Sequence, residues 1–231
     1  MPSPFPEIVA LVPMRHDSER VPGKNYRDFG GAPLYHHIVR ALLDCGRVSR
    51  VVIDTDSPFI FADAARHFPE VTLLKRPREL LGGEVPMNSI LLHDVSQVAG
   101  HYYLQTHSTN PLLRPQTIAK AVDAFLAALP GHDSLFSVTA RHVRLWDAAG
   151  RPLNHDPAVL LRTQDLEPVY EENSNLYLFS AASLRQCGNR IGRRPMLFEI
   201  PAWEAMDIDE EFDFRLAESV YRATQAEGAR S

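Results

Sequence analysis

At 231 residues, with 45% hydrophobic and 23% charged side chains, the chain suits one domain with a sizeable buried core. A formal net charge of −5 weighs against binding nucleic acid through bulk charge, and no apolar run approaches the ~20 residues needed to cross a bilayer. Cys45 and Cys187 stand far apart with no C-x-x-C pair, so neither a zinc site nor a disulfide framework is indicated, and two buried free thiols are expected.

Met1 to Glu7 lacks a basic stretch followed by an apolar one, so no signal peptide is expected and the expected location is cytoplasmic. Ile8 to Val12, a continuous apolar run closed by Pro13, predicts a strand buried on both faces. A polar, basic loop follows from Met14 to about Phe29, with a turn at Gly30-Gly31. Pro33 fits the first position of a helix whose apolar spacing covers Leu34 to Leu43. Val51 to Ile53 predicts a second buried strand, and Ser57-Pro58 opens a helix through Phe61 and Ala65.

Further strands are predicted at Val71 to Leu74, Tyr102 to Leu104 and Ser134 to Thr139, with helices at Met87 to Val98 and Gln116 to Leu129. The rhythm breaks from Arg141 to Tyr170, where turns and short extended pieces carry Val143, Leu145, Trp146, Val159, Leu160 and Leu161. This stretch predicts a protruding excursion that buries its apolar residues in a homodimer. The pattern resumes with a strand at Leu176 to Phe179, a helix at Ala181 to Cys187, a strand at Met196 to Ile200 and a closing helix from Glu210 to Ala223. Glu227 to Ser231 is expected to fray. Alternating strands and helices predict a single α/β domain, residues 1–231, doubly wound around a mostly parallel sheet.

The loop after the first strand holds Arg15, Arg20 and Lys24 within ten residues, beside turn formers that free backbone amides. Fixed cations and N–H donors at the end of a parallel strand are what a triphosphate needs. The spacing matches neither a P-loop nor a G-x-G-x-x-G fingerprint. Near the C-terminus, Asp207 and Asp209 stand two apart, so in extended chain they share a face and can converge on a hard cation. Asp209 can equally cap the helix from Glu210, which leaves Asp207 unexplained. The scattered histidines have no zinc spacing, and Ser89 and Ser108 have no adjacent base. His107 lies in the loop after the fourth strand, where it can meet a substrate or bond to backbone.

The pattern Arg15-x4-Arg20-Val21-Pro22-x-Lys24-Asn25 resembles the signature of the acylneuraminate cytidylyltransferases, the CMP-sialic acid synthetases and their relatives. Five more stretches resemble that family in order. They are Val52 to Ser57, Arg76 to Leu80, Leu104-Gln105 with Thr109 to Arg114, Arg162 to Tyr170, and Met206 to Phe214. The resemblance implies a nucleotide-diphospho-sugar transferase-like fold and a nucleotidyltransferase that activates an acidic sugar, ulosonic or nonulosonic, with CTP and magnesium. It implies that Arg15 and Lys24 bind the triphosphate with Arg20 in support, that Asn25 helps hold the nucleotide, and that Asp207 and Asp209 bind magnesium. Gln105, Arg162, Asn173, Asn175 and Tyr177 are the expected sugar-side residues. Arg15, Lys24 and Asp209 are the expected catalytic set, and in a dimer Arg162 is expected to reach the neighbour's site.

Two departures bear on the substrate. Glu84-Val85-Pro86-Met87 replaces the family's T-A-S-S-like stretch that recognises cytosine. Glu171-Glu172 stands where the family has arginine and proline, reversing a charge near the sugar. They predict a subfamily acting on something other than plain N-acetylneuraminate. The rival readings are transfer from another base or to another sugar, and a glycosyltransferase-like or non-catalytic nucleotide-sugar-binding protein on the same kind of sheet.

Overall fold

The computed structural model describes residues 6–228 of the chain. The Met1 to Phe5 segment, where no signal peptide is expected, and residues 229–231 of the expected frayed tail lie outside the described residues.

Seven strands form one sheet: β1 (Ile8–Met14), β4 (Arg50–Thr55), β5 (Thr72–Lys75), β6 (Tyr102–Gln105), β7 (Ser134–Arg141), β8 (Val169–Phe179) and β9 (Pro195–Glu199). A separate ribbon pairs β2 (Asp28–Phe29) with β3 (Ala32–Pro33) across the Gly30-Gly31 turn. The helices are α1 (Leu34–Asp44), α2 (Pro58–His67), α3 (Met87–Gln97), α4 (Pro115–Ala128), α5 (Ala181–Cys187) and α6 (Glu211–Gly228). No helix is long and apolar enough to cross a membrane, among the described residues.

The strand order is β5-β4-β1-β6-β8-β7-β9, and β8 alone runs antiparallel to its neighbours. The continuous apolar run of β1 follows from its central position: every residue from Ile8 to Met14 is buried. Ala10 and Val12 pack against α1, α2 and α4, while Val9 and Leu11 face α3 and α5 on the other side. Helices thus cover both faces, as the alternation predicts. A third cluster joins Phe29, Leu34, Phe214 and Ala217, so α6 clamps the small ribbon.

Several boundaries differ from the sequence reading, and tertiary pairing explains each. Pro33 belongs to β3 and precedes α1 instead of opening it. β8 begins at Val169, seven residues before Leu176, because pairing with β7 holds the polar stretch Tyr170 to Glu172 extended. α6 runs on to Gly228, past Ala223 and into the stretch expected to fray. The excursion keeps only one short 3₁₀ turn, Thr163–Asp165, and an isolated bridge between Trp146 and Pro152. β7 runs parallel to β1, so the excursion leaves the sheet from the same edge as the loop after β1. Cys45 is a buried free thiol; Cys187 is free but only partly buried.

Candidate active site

β1 and β6 are parallel neighbours whose chain continues in opposite directions along the sheet, to β4 on one side and to β7 on the other, which opens a crevice beyond their C-terminal ends. A cleft of about 620 Å³ lies there. The loop after β1 supplies Arg15, Arg20, Lys24 and Asn25, and the segment before α6 supplies Asp207 and Asp209. All six expected residues of the nucleotide and metal sets therefore meet in one place, although they lie up to about 190 positions apart in sequence.

The Val52 to Ser57 stretch explains how the loop is held. Asp56 accepts the His16 backbone N–H at 2.7 Å, and Ser57 meets the His16 ring at 2.7 Å while capping α2 through Ile60 N–H at 3.2 Å. Asn25 is buried, donates to the Arg15 carbonyl at 2.7 Å and accepts from Ser108 at 2.8 Å. Both ends of its amide brace the loop that presents the cations.

Lys24 donates to the Ile208 carbonyl at 2.5 Å, which seats its ammonium between Asp207 and Asp209. Burial lowers its pKa, opposed by those two carboxylates. Asp207 is raised: desolvation in the cleft dominates and Asp209 adds to it, against Thr109 and Lys24. Ile208 between them is fully buried, so the flanking carboxylates turn the other way, into the cleft. Asp209 pairs with Arg20 at 2.5 Å. The carboxylate that takes the amides at the start of α6 is Asp213's, at 3.1 Å from Asp209 N and 2.8 Å from Glu210 N. The capping alternative for Asp209 is therefore filled by Asp213. Two carboxylates facing one cleft are a donor set that suits a hard divalent cation. The other group of potential ligands, His36, Asp63 and His67, lies outside the cleft and is bonded within itself, at 2.6 Å and 3.1 Å.

The residues expected on the sugar side are placed differently: within one chain none lines the cleft. Gln105 is buried and donates to the Thr106 carbonyl at 2.9 Å. Asn173 bridges Ser137 and Thr139 across a register shift between β7 and β8. Asn175 is buried and ties β8 to the Ala205 carbonyl at 3.3 Å. Tyr177 is buried, and its hydroxyl bonds to Glu172 and, at 3.2 Å, to Ser174. Burial chiefly pushes its pKa up to about 12. Arg162 lies in the excursion, largely exposed and paired with Asp165 at 2.7 Å. Apart from Arg162, these side chains spend their polar groups on bonds within the protein, as buried polar groups must.

The cleft face itself carries His107, Ser174 and Arg190 on this side. Ser174 has φ 56, a left-handed backbone rare outside glycine, at the bulge that aims it inward. His107 stays neutral: burial, with Arg190 and Lys24 nearby, pushes its pKa down to about 3. It bonds to no backbone group among the described residues, so the substrate-facing alternative fits its position. Arg190 had no motif to reveal it; a cation just after the helix-ending Gly188 was its only sequence signal. Behind the loop Gly82 to Met87, Arg76 reaches the cleft and is buried against Asp54 at 3.0 Å, with Asp94 alongside.

A family model described as cytidylyltransferase matches residues 9–224. N-acylneuraminate cytidylyltransferase A of Danio rerio is 28% identical over 91% of this chain and 50% of its own length. CMP-N,N′-diacetyllegionaminic acid synthase of Legionella pneumophila is 26% identical over 94% of this chain and 97% of its own. The chain thus spans about half the length of the first relative and nearly all of the second. Among solved structures, a CMP-2-keto-3-deoxy-manno-octonic acid synthetase complexed with CTP superposes with a TM-score of 0.69 at 16% identity, covering 94% of this chain and 99% of that one. At that identity the likeness speaks for the fold.

Proposed function

Because this chain belongs to the cytidylyltransferase family, we propose that it transfers the CMP group of CTP to the anomeric hydroxyl of an acidic sugar, ulosonic or nonulosonic. The products are a CMP-sugar and pyrophosphate. The observation that carries this reading is the convergence of Arg15, Arg20 and Lys24 with Asp207 and Asp209 in one cleft at the β1–β6 crevice. The relatives that act on neuraminic and legionaminic acids support the substrate class.

The sugar hydroxyl loses its proton to solvent as it attacks the α-phosphorus, the bond to the bridging oxygen of the β-phosphate breaks, and that bond's electron pair leaves with pyrophosphate. Arg15 and Lys24 face the β- and γ-phosphates and balance their charge as they depart. In the free protein Arg20 and Asp209 neutralise each other. A triphosphate would give Arg20 a second partner and leave the Asp209 carboxylate open to a cation. Asp207 and Asp209 would hold magnesium, which supplies charge neutralisation on the phosphates and acidifies the attacking hydroxyl. The Gly82 to Met87 loop borders the cleft where the base would rest. Free cysteines fit a cytoplasmic location, where CTP is made.

The excursion supports a homodimer. Leu160 is 89% exposed and Leu153 63%, an apolar tip that a second copy can cover. It leaves the cleft edge of the sheet and carries Arg162, which in such a dimer would serve the neighbour's sugar site.

The test is pyrophosphate release on mixing the protein with CTP, magnesium and a panel of sugar acids. Release that needs both CTP and one of the acids is expected. Release with another nucleoside triphosphate but not with CTP would contradict the reading.

A further inference from the structure

Arg190 is a cation in the cleft with no anion of its own. Its Nη1 donates to the Gln105 Oε1 at 2.5 Å, and the guanidinium lies 3.5 Å from the centroid of the Tyr177 ring. It has no ion-pair partner among the described residues, whereas Arg20 and Arg76, which also line the cleft, each have a carboxylate. Glu172, the acid that acts on it electrostatically, stays beyond ion-pair distance and accepts a hydrogen bond from the Tyr177 hydroxyl. Burial disfavours its charged form; Tyr177 and, from beyond ion-pair distance, Glu172 favour it, while the side chain it donates to is a neutral amide. A partly desolvated charge without a counter-ion is costly, and at the wall of a cleft that cost marks a ligand site.

The ligand's charge and shape follow from the surroundings. Neutral His107 and Ser174 share this side of the cleft, so Arg190 is the charged group on its lining here, and Glu172 stands behind Tyr177, outside that lining. Three cations are already gathered for phosphate around Lys24. A guanidinium held flat by an aromatic ring, with one edge fixed by Gln105, keeps two parallel N–H groups for one planar anion. We propose that Arg190 is the seat of the sugar acid's carboxylate, with Tyr177 and Gln105 as the residues that position it. The inference rests on the acidic-sugar reading above. It also accounts for Glu171: where the resemblance expects arginine on β8, this chain supplies the cation from the segment after α5.

The test compares wild type, Arg190→Gln and Arg190→Lys with N-acetylneuraminate, N,N′-diacetyllegionaminate and 2-keto-3-deoxy-manno-octonate, each also as its carboxamide. Pyrophosphate release is measured under saturating CTP. For an accepted acid, Arg190→Gln should raise the sugar KM about 10- to 100-fold, the loss of a charge-assisted pair, and leave the KM for CTP unchanged. The preference for acid over carboxamide should collapse in the same variant. Arg190→Lys should recover part of the loss, and it carries the comparison if the glutamine variant melts below assay temperature. An unchanged sugar KM, or a preference for the acid that survives the substitution, overturns the role of Arg190 alone. A wild type that accepts none of the three acids overturns the substrate reading first.

Discussion

Asp209 and Asp213 stand one helical turn apart and separate two kinds of role. Asp213 takes two backbone amides at the start of α6, whereas Asp209 meets only Arg20 among the described residues. Asp209→Asn should therefore abolish most turnover with little change in Tm, while Asp213→Ala should cost about 1 kcal/mol of stability. Thermal melts beside a pyrophosphate assay decide it; a normally active Asp209→Asn protein would remove Asp209 from the catalytic set. Asp94 supports a pH prediction. Burial and the neighbouring Asp54 charge push its carboxyl up to about 8, and its proton is donated to Asp54. The folded chain thus holds a proton that the unfolded chain releases near 3.8. Stability should fall as pH rises between those two values and level off above about 8. Asp94→Asn keeps the hydrogen bond without the titration, so its Tm should be flatter with pH and higher than wild type at pH 8. Parallel Tm profiles for the two proteins would sink this account. The two roles differ in how far the sequence shows them. The D-x-D spacing exposed Asp207 and Asp209, but Asp54 and Asp94 lie on different elements and meet only in the folded core.

The element that matters most to the site is α6, which fixes the loop carrying Arg15 to Lys24. Arg27 pairs with Glu211 at 2.6 Å and lies 4.2 Å from the Phe214 ring centroid, and Gly30 N–H donates to Glu218 at 3.0 Å. Gly30 has φ 61, and a β-carbon there would come within 2.4 Å of Tyr221. Gly30→Ala should thus cost about 1–3 kcal/mol, a Tm loss of roughly 2–12 °C, and weaken CTP binding by loosening the ribbon that follows Lys24. Calorimetry and CTP titration check both; an alanine variant with wild-type Tm would mean that α6 does not grip the turn. The Gly-Gly pair announced a turn from sequence alone, because glycine is the residue that takes positive φ freely. That α6, about 180 residues later, packs onto it could not be read there.

At the scale of the whole molecule, the excursion between β7 and β8 leaves Leu160, Leu153 and Val159 at 89%, 63% and 54% exposure. Leu160→Asp should yield a folded monomer by sedimentation, with activity reduced if Arg162 serves the partner's cleft. Mixing Arg162→Ala with Asp209→Asn after subunit exchange should restore some activity, since a mixed dimer then holds one intact composite site. A wild-type protein that stays monomeric and fully active in dilute solution removes the crossing. The sequence by itself determined the alternating α/β order, the central strand, the cation loop and the D-x-D pair. Each is written in a few consecutive residues, whose period and charge act locally. Tertiary structure alone decided which side chains reach the cleft. Gln105, Asn173, Asn175 and Tyr177 carry the chemistry of a sugar site, yet their side chains bond within the protein: Gln105 to the Thr106 carbonyl, Asn173 across to β7, Asn175 to the Ala205 carbonyl and Tyr177 to Ser174. Arg190 has no motif, and it faces the cleft because Tyr177 and Gln105, on two neighbouring strands, hold it there.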